Sequence, residues 1–374
     1  MLKLGSLFDG IGGWPLAAIK FGINPVWSSE IAPFPQEITK THFPSMKHLG
    51  DITKINGAEI DPVDIICMGS PCQDLSIAGK REGLDGERSG LFRRAVDIVR
   101  QMRNATNGQY PRFIVWENVP GAFSSNKGND FRTVLEEITE TEIPVPTSGR
   151  WATAGMVRSK ECEVAWRVMD AQYWGVPQRR KRIFLVADFR GQCAGEILFK
   201  PKSVSGDIAK GSDKRKRTAG SITDSIRKTS QSIPCIAYAI QGNMIGRTDK
   251  NGPQGNGINK EVSFTLNTID RHAVSYVLHP RVTGTICASG AGTNRPAGQG
   301  NETELCIVQN DYRARRLTPT ECERLQGLPD GYTLIDDKKC SDSARYKALG
   351  NGMSQPCPDS IMEGIASIFR SDNP

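Results

Sequence analysis

Cys72 is the side chain with the most chemistry to offer, because of where it stands. It follows Gly69-Ser70-Pro71, which closes the apolar run Val63-Asp64-Ile65-Ile66-Cys67-Met68. Such a run reads as a buried parallel strand, and open α/β sheets carry their chemistry at the carboxyl ends of strands. A thiolate there is a nucleophile; the plainer reading is a small apolar core residue. A second apolar run, Phe113-Ile114-Val115-Trp116, exits into Glu117-Asn118-Val119-Pro120. A candidate acid therefore reaches the same edge as the cysteine, although an isolated carboxylate is more often an ion-pair partner. The third group is cationic. Gln178-Arg179-Arg180-Lys181-Arg182 leads into the strand Ile183-Phe184-Leu185-Val186-Ala187. Strand alternation sends Arg180 and Arg182 to one side and Arg179 and Lys181 to the other, so one pair can face a cleft.

The elements that must position these groups follow from the pattern. Leu2 to Phe8 reads as a strand, Asp9-Gly10-Ile11-Gly12-Gly13 as a glycine turn, and Trp14 to Gly22 as a helix. Strand, glycine turn and helix open a nucleotide-binding βαβ unit; Pro15 disfavours a dinucleotide pyrophosphate. A second strand, Asn24 to Ser29, ends in Glu30, about 20 residues past the first glycine, where an acid commonly holds ribose hydroxyls. The alternative for Glu30 is a carboxylate favoured by a helix N-terminus. A helix spans Pro33 to His42. Asp51, in Gly50-Asp51-Ile52-Thr53, suits either an adenine amino group or a turn cap. Further helices are predicted at Leu91 to Arg103 and Asp130 to Thr139, and a strand at Glu163 to Met169. The polar, glycine-rich stretch from Gly79 to Gly90 reads as a lid beside the cysteine, with basic residues able to touch phosphates, or as a plain solvated loop.

Composition narrows the class. The chain has 374 residues and a net charge of +7, and its isoelectric point is near 8.9. That is compatible with nucleic acid but weak on its own. None of the ten cysteines forms a CxxC pair, and the four histidines do not cluster. Neither a metal site nor a disulfide scaffold is expected. No stretch approaches the roughly 20 apolar residues of a membrane span, and the start lacks a signal-peptide pattern, so an intracellular protein is expected. Near Gly191 the composition turns rich in Gly, Ser, Thr and Asn as far as about residue 311. This stretch includes the basic patch Lys210 to Arg217 and strand-like pieces at 262–266, 274–278 and 282–287. It reads as a loop-rich, largely β region. Order returns at Leu317, where Thr318, Pro319 and Glu321 form a capping box for a helix ending near Gly327. Ala348-Leu349-Gly350-Asn351-Gly352 then reads as a turn into a last helix from Pro358 to Phe369.

The ordered set of Phe8-Asp9-Gly10-Ile11-Gly12-Gly13, Gly69-Ser70-Pro71-Cys72-Gln73, Glu117-Asn118-Val119, Gln178-x-Arg180-x-Arg182, Arg316-Leu317-Thr318-Pro319 and Gly350-Asn351-Gly352 strongly resembles the DNA (cytosine-5)-methyltransferases of bacterial and phage type. The resemblance covers roughly 1–190 and 313–374. It implies an α/β, Rossmann-like S-adenosylmethionine-dependent methyltransferase domain (1–190 and 335–374) with a smaller, loop-rich, largely β target-recognition domain (191–334). It also implies base flipping and a Cys72–C6 adduct on cytosine. Glu117 would hold N3 and the exocyclic amine, Asn118 would support Glu117, and Arg182, with Arg180 close by, would bind the O2 region. For the cofactor it implies Phe8, Gly10, Ile11, Gly12, Glu30, Ile31, Asp51, Ile52, Pro71, Leu91, Asn351 and Gly352. For DNA it implies Gln73, Ser76, Lys80, Arg81 and Arg88.

Two departures stand out: Gly352 where many relatives have serine, and Ser6 where many carry an acid. The implied partner is double-stranded DNA, met by a monomer, in a restriction-modification setting with a possible cognate endonuclease. The implied place is the cytoplasm of a bacterial cell, at the nucleoid. Other readings are a tRNA cytosine methyltransferase, an inactive DNA-binding relative and an NAD oxidoreductase. The long insert between Arg182 and Arg315 favours DNA over tRNA. The intact Cys72 and Glu117 speak against inactivity, and Pro15 and the Pro71-Cys72 exit against the oxidoreductase.

Overall fold

The computed structural model describes residues 1–70, 90–191, 193–199, 237–240, 258–260, 273–277, 312–336 and 340–372. Pro71, Cys72, Gln73, Ser76, Lys80, Arg81 and Arg88 lie outside the described residues, as do the expected lid, the basic patch at 210–217 and the strands at 262–266 and 282–287.

Eight strands and eight helices carry the argument in chain order. They begin β1 (Lys3–Leu7), α1 (Gly13–Lys20), β2 (Asn24–Ser29), α2 (Pro33–His42), β3 (Lys47–His48), β4 (Ile65–Met68), α3 (Gly90–Ala105) and β5 (Phe113–Asn118). Then come α4 (Asn129–Thr139), β6 (Ala154–Arg158), β7 (Glu163–Asp170), β8 (Lys181–Asp188) and α5 (Ala194–Leu198). Toward the end of the chain come α6 (Pro319–Gln326), α7 (Asp342–Asn351) and α8 (Pro356–Asp372).

The sheet order is β3-β2-β1-β4-β5-β8-β7-β6. β3, β2, β1, β4 and β5 run parallel, whereas β8, β7 and β6 each run antiparallel to the neighbour before them. The strand order reverses between β1 and β4, which is where open α/β sheets leave a crevice at their carboxyl ends. Because β8 runs against β5, its first residues stand at that same edge, with Asn118 opposite Ile183 and Glu117 opposite Phe184.

Alternation along the strands gives the sheet two apolar faces. Leu7, Ile66, Met68, Ile114, Trp116 and Leu185 pack under α3 and α4. Leu4, Ile65, Cys67, Val115, Phe184 and Val186 pack under α1, α5 and α8. The central strands are covered on both sides, which is why they read as near-continuous apolar runs.

A third cluster crosses the expected domain limit at 334. Leu317, Cys322, Leu325, Leu328, Tyr332 and Ile335 share a core with Ile11, Ile38, Ala348 and Leu349. Inside this block Glu323 is fully buried, and its carboxylate accepts from the backbone N–H groups of Gly331 (2.7 Å) and Thr333 (2.8 Å) and from Arg345 (3.0 Å). Residues 317–335 therefore pack with the glycine turn, not apart from it. Similarly α5, beyond the expected limit at 190, buries Ala194, Ile197 and Leu198 in the sheet's own core.

The capping box on α6 forms as expected: Thr318 accepts from Glu321 N–H, Glu321 accepts from Thr318 N–H, and Gly327 closes the helix in the left-handed region. Ala348 to Asn351, expected as a turn, is the last turn of α7. The Gly-Asn pair suggested a break, but the helix is held by burial of Ala348, Leu349 and Gly350 and capped by Ser341. β6 was not expected either. It is an edge strand that alternates exposed and half-buried residues and opens with Ala154 and Gly155, so it carries no buried apolar run. Of the expected recognition strands, 274–278 corresponds to β11 in a second sheet. That sheet consists of β9 (Ala237–Ile240), β10 (Ile258–Lys260), β11 (Ala273–Val277) and β12 (Tyr312–Arg316), antiparallel in the order β10-β9-β11-β12. Among the described residues no helix is long and apolar enough to cross a membrane.

Candidate active site

The exit of β4 is fixed by β5. Trp116 Nε1 donates to Ser70 Oγ (3.2 Å) and Asn118 Nδ2 donates to the Ser70 carbonyl (3.1 Å). Asn118 Oδ1 in turn accepts from Val119 N–H (2.8 Å), and Asn118 is itself buried. Two alternate side chains of one strand, Trp116 and Asn118, pointing to the same face, thus hold the residue two positions before Cys72. The Asn118 amide spends its bonds on backbone and makes a brace. No short motif rule singles out Ser70; only the pairing of β4 with β5 reveals it.

Glu117 points to the same sheet face as Val115 and stands beside Gly69, whose Cβ position lies 3.5 Å from Glu117 Oε2. Its other oxygen meets Arg182 Nε at 3.0 Å, with the two side chains 15% and 17% exposed. The register explains the pair: Glu117 faces Phe184, and Arg182 is two residues away on the same face. A carboxylate and a guanidinium, both partly shielded, meet at a strand exit next to the cysteine strand. This arrangement can hold a planar polar ring by its edge.

Arg180 and Arg182 point inward while Arg179 and Lys181 are exposed, as alternation requires. Arg180 has a different task from Arg182. It is 2% exposed and donates to the carbonyls of Gly350 (3.0 Å) and Gly352. Burial, and then the like charge of Arg182, lower its pKa to about 9. It remains a cation at neutral pH and ties the β8 entrance to the end of α7. Beside it, both polar atoms of the buried Gln178 carboxamide have no hydrogen-bond partner among the described residues.

The cofactor candidates gather around the β1–β4 crevice. Gly10 has a φ of +57° and, among the described residues, nothing within 4 Å of its Cβ position. Gly10 N–H donates to Glu30 Oε2 (2.9 Å), while Glu30 Oε1 accepts from Ile31 (2.9 Å) and Ala32 (2.8 Å) N–H. Ser29 Oγ reaches the Gly50 carbonyl (2.6 Å), which brings Asp51 to the end of β2. The Asp51 carboxylate accepts from Thr53 N–H and Oγ, and these bonds hold it below the usual carboxylate range. Ile31 is 70% exposed, whereas Ile52 is buried in the core. Leu91 packs on that same core. The Gly352 Cβ position lies 3.2 Å from Ile11 Cδ1, so the Gly-Asn-Gly segment rests directly on the glycine turn. Phe8 holds a φ of +55° at the start of that turn, Gly12 one of +79°, and Asn351 is exposed.

Two functional-looking groups escaped the sequence reading. Asp9 is 4% exposed, accepts from Ser6 Oγ at 2.5 Å, and its second oxygen has no partner among the described residues. Burial, eased by the Ser6 bond and reinforced by Glu30, raises its pKa to about 7. The acid missing at position 6 has its counterpart at position 9, and the serine is its donor. The signal was present in the quoted motif but was read only for glycines. Tyr332 is the other: its hydroxyl donates to the Ile11 carbonyl (2.8 Å) from a segment assigned to the recognition domain. Among the described thiols, burial pushes Cys67, Cys322 and Cys357 up, Cys162 to about 11 and Cys193 to about 12. None of those five is a ready nucleophile at neutral pH.

Comparison with known proteins bears on this geometry. The pattern of C-5 cytosine-specific DNA methylase matches residues 2–367. The chain is 30% identical over 451 aligned positions to the DNA N-6-adenine-methyltransferase of Escherichia phage P1, covering 95% of this chain and 60% of that protein. It is 33% identical to the Type II methyltransferase M2.BsuMI of Bacillus subtilis, covering 94% of this chain and 72% of the relative. In fold it is similar to the S. pombe Dnmt2 methyltransferase, with a TM-score of 0.59 at 15% identity, covering all of both chains.

Proposed function

Because the chain belongs to the C-5 cytosine-specific DNA methylase family, we propose that it is a sequence-specific DNA cytosine-5 methyltransferase that works on a base flipped out of duplex DNA. The observation that carries this reading is the Glu117–Arg182 pair, 3.0 Å apart, beside the braced strand exit that leads to Cys72. The carboxyl and the guanidinium match the N3–amine edge and the O2 of cytosine. An exocyclic adenine amine needs no thiol to attack a methyl donor. The adenine specificity in the phage P1 relative's name belongs to a protein of which this chain spans 60% of the length.

The chain's residues fit S-adenosylmethionine. Among the described residues nothing lies within 4 Å of the Gly10 Cβ position, at the strand-order reversal. The Glu30 carboxylate, engaged by three backbone N–H groups, keeps acceptor capacity for ribose hydroxyls. Asp51 and Ile52 flank the adenine side, Ile31 offers exposed apolar surface, and Phe8, Ile11, Gly12, Pro71, Leu91, Asn351 and Gly352 complete the set. When bound, S-adenosylmethionine supplies an electrophilic methyl group.

The remaining steps belong to the protein. The Cys72 thiolate adds to C6 of the flipped cytosine, which turns C5 into an enamine-like nucleophile. Glu117 holds N3 and the amine as charge moves onto the ring. Arg182 orients Glu117 and attracts O2, while Asn118 and Arg180 fix the two strand ends. After C5 has taken the methyl group, a base removes its proton and Cys72 leaves. Gln73, Ser76, Lys80, Arg81 and Arg88 would meet the DNA, with the chain acting as a monomer in the cytoplasm, at the nucleoid, alongside a cognate endonuclease. The recognition region runs from about 200 to 316, inside the packing limits set by α5 and Leu317.

Bisulfite sequencing of DNA from a methylation-free host expressing the protein tests this reading. Methylated cytosines within one short motif are expected from wild type and none from Cys72→Ala. Unmethylated DNA from well-expressed wild type would overturn it.

A further inference from the structure

A cavity of about 470 Å³ opens on the outer side of the β7–β8 edge and is lined by Arg150, Arg167, Arg179 and Lys181, with Asp170 as its one carboxylate and the half-exposed Tyr173 in its wall. It stands at the active edge of the sheet. Lys181 opens β8 and faces Asp170, the last residue of β7. Arg150 lies just before β6, whose first residue, Ala154, faces Arg167. Pro120, three residues past Glu117, is part of the same wall.

The charges are unequally used. Arg167 donates to the Leu198 carbonyl (3.0 Å) and stands over Trp174 at 5.6 Å, so it is fixed in place. Asp170 turns its carboxylate to Gln172, accepting at 2.8 Å from the side-chain amide. Among the described residues no carboxylate forms an ion pair with Lys181 or Arg150, and both are exposed. Four cations around one inward-turned acid leave the cavity with an excess of positive charge, and its aromatic wall gives it a floor. Lys181 and Arg182 are consecutive residues whose side chains point to opposite sides of one strand. The inner one faces the base-holding Glu117, and the outer one faces this cavity.

We propose that this cavity binds a backbone phosphate of the duplex next to the flipped nucleotide, so that β8 holds the base with Arg182 and the flanking phosphate with Lys181 and Arg150. The assignment rests on the cytosine methyltransferase reading above. It explains why basic residues occur on both sides of the strand entrance, where only the inner Arg182 meets the base-holding Glu117. Phosphate contacts fix register without reading sequence, so the cavity acts in positioning.

The test is the salt dependence of binding to a fluorescein-labelled DNA duplex, measured for wild type, Arg150→Ala, Lys181→Ala and the double variant. Each lost phosphate contact flattens the slope of log affinity against log salt by about 0.9 and weakens binding uniformly across sequences. The double variant is therefore expected to be flatter by about 1.8, with the conservative Arg150→Lys/Lys181→Arg protein restoring the wild-type slope. Both positions are exposed, so melting temperatures should stay together and identify any misfolded preparation. An unchanged slope in the double variant, with a wild type that methylates DNA, overturns the proposal. A slope change confined to an RNA duplex overturns it in favour of RNA. A variant-sensitive slope in a wild type that leaves DNA unmethylated supports the cavity and contradicts the functional reading instead.

Discussion

Asp9 shows how much a single buried group can weigh. Its carboxyl is shielded, has one donor, Ser6, and titrates near 7 instead of the ordinary 3.8. The sign of the consequence follows from proton counting. Between pH 4 and 7 the folded protein keeps the proton that the unfolded chain has lost, so stability falls as pH rises through that window and levels off above it. Asp9→Asn removes the titration. The stability difference between the variant and wild type should therefore shift in the variant's favour by about 3 kcal/mol from pH 5 to pH 8, read from denaturant melts at the two pH values. A constant difference would show that Asp9 does not carry the proton. At this scale the sequence was legible where chemistry and motif coincide, as at Cys72, Glu117 and Arg182. It was illegible for Asp9 and Tyr332. Their importance arises from burial and from a contact more than 300 residues away along the chain, and neither leaves a local trace.

Elements decide which of two identical side chains does which job. Arg180 and Arg182 share a motif and a direction, yet Arg182 meets Glu117 while Arg180 meets the carbonyls at the end of α7. Replacing Arg180 with Met strips the Gly350 and Gly352 carbonyls of a charged donor. A stability loss of about 2–4 kcal/mol is expected, together with a rise of about tenfold in KM for S-adenosylmethionine, since Gly352 rests on Ile11 of the glycine turn. Thermal melting and methyl-transfer kinetics check both; an unaltered KM in a destabilised protein would confine Arg180 to folding. Most strands and helices were readable because their apolar runs are buried on both faces or capped by recognisable residues. α7 was not, because a Gly-Asn pair inside it suggests a break that tertiary packing of Leu349 overrides. The edge strand β6 was not, because an exposed strand has no apolar run to read.

The whole molecule brings the sequence-distant Glu117, Arg182 and the strand that leads to Cys72 to one sheet edge. The reversal between β1 and β4 forms the cofactor crevice, the β4–β5 pair aims the cysteine strand, and the antiparallel β8 returns the arginines to the same edge. The third core then packs Leu317, Leu325, Ala348 and Leu349 against Ile11 of the glycine turn, across the limit expected between the two domains at 334. The central claim is that this edge performs covalent catalysis through Cys72, guided by Glu117 and Arg182. The most direct measurement uses duplex DNA carrying 5-fluorocytosine at the target, whose fluorine cannot leave as the C5 proton does. With S-adenosylmethionine present, wild type should form a denaturation-resistant protein–DNA adduct that peptide mapping assigns to Cys72, and Cys72→Ala should form none. Methylation of ordinary substrate without any such adduct, or an adduct on another residue, would contradict the account.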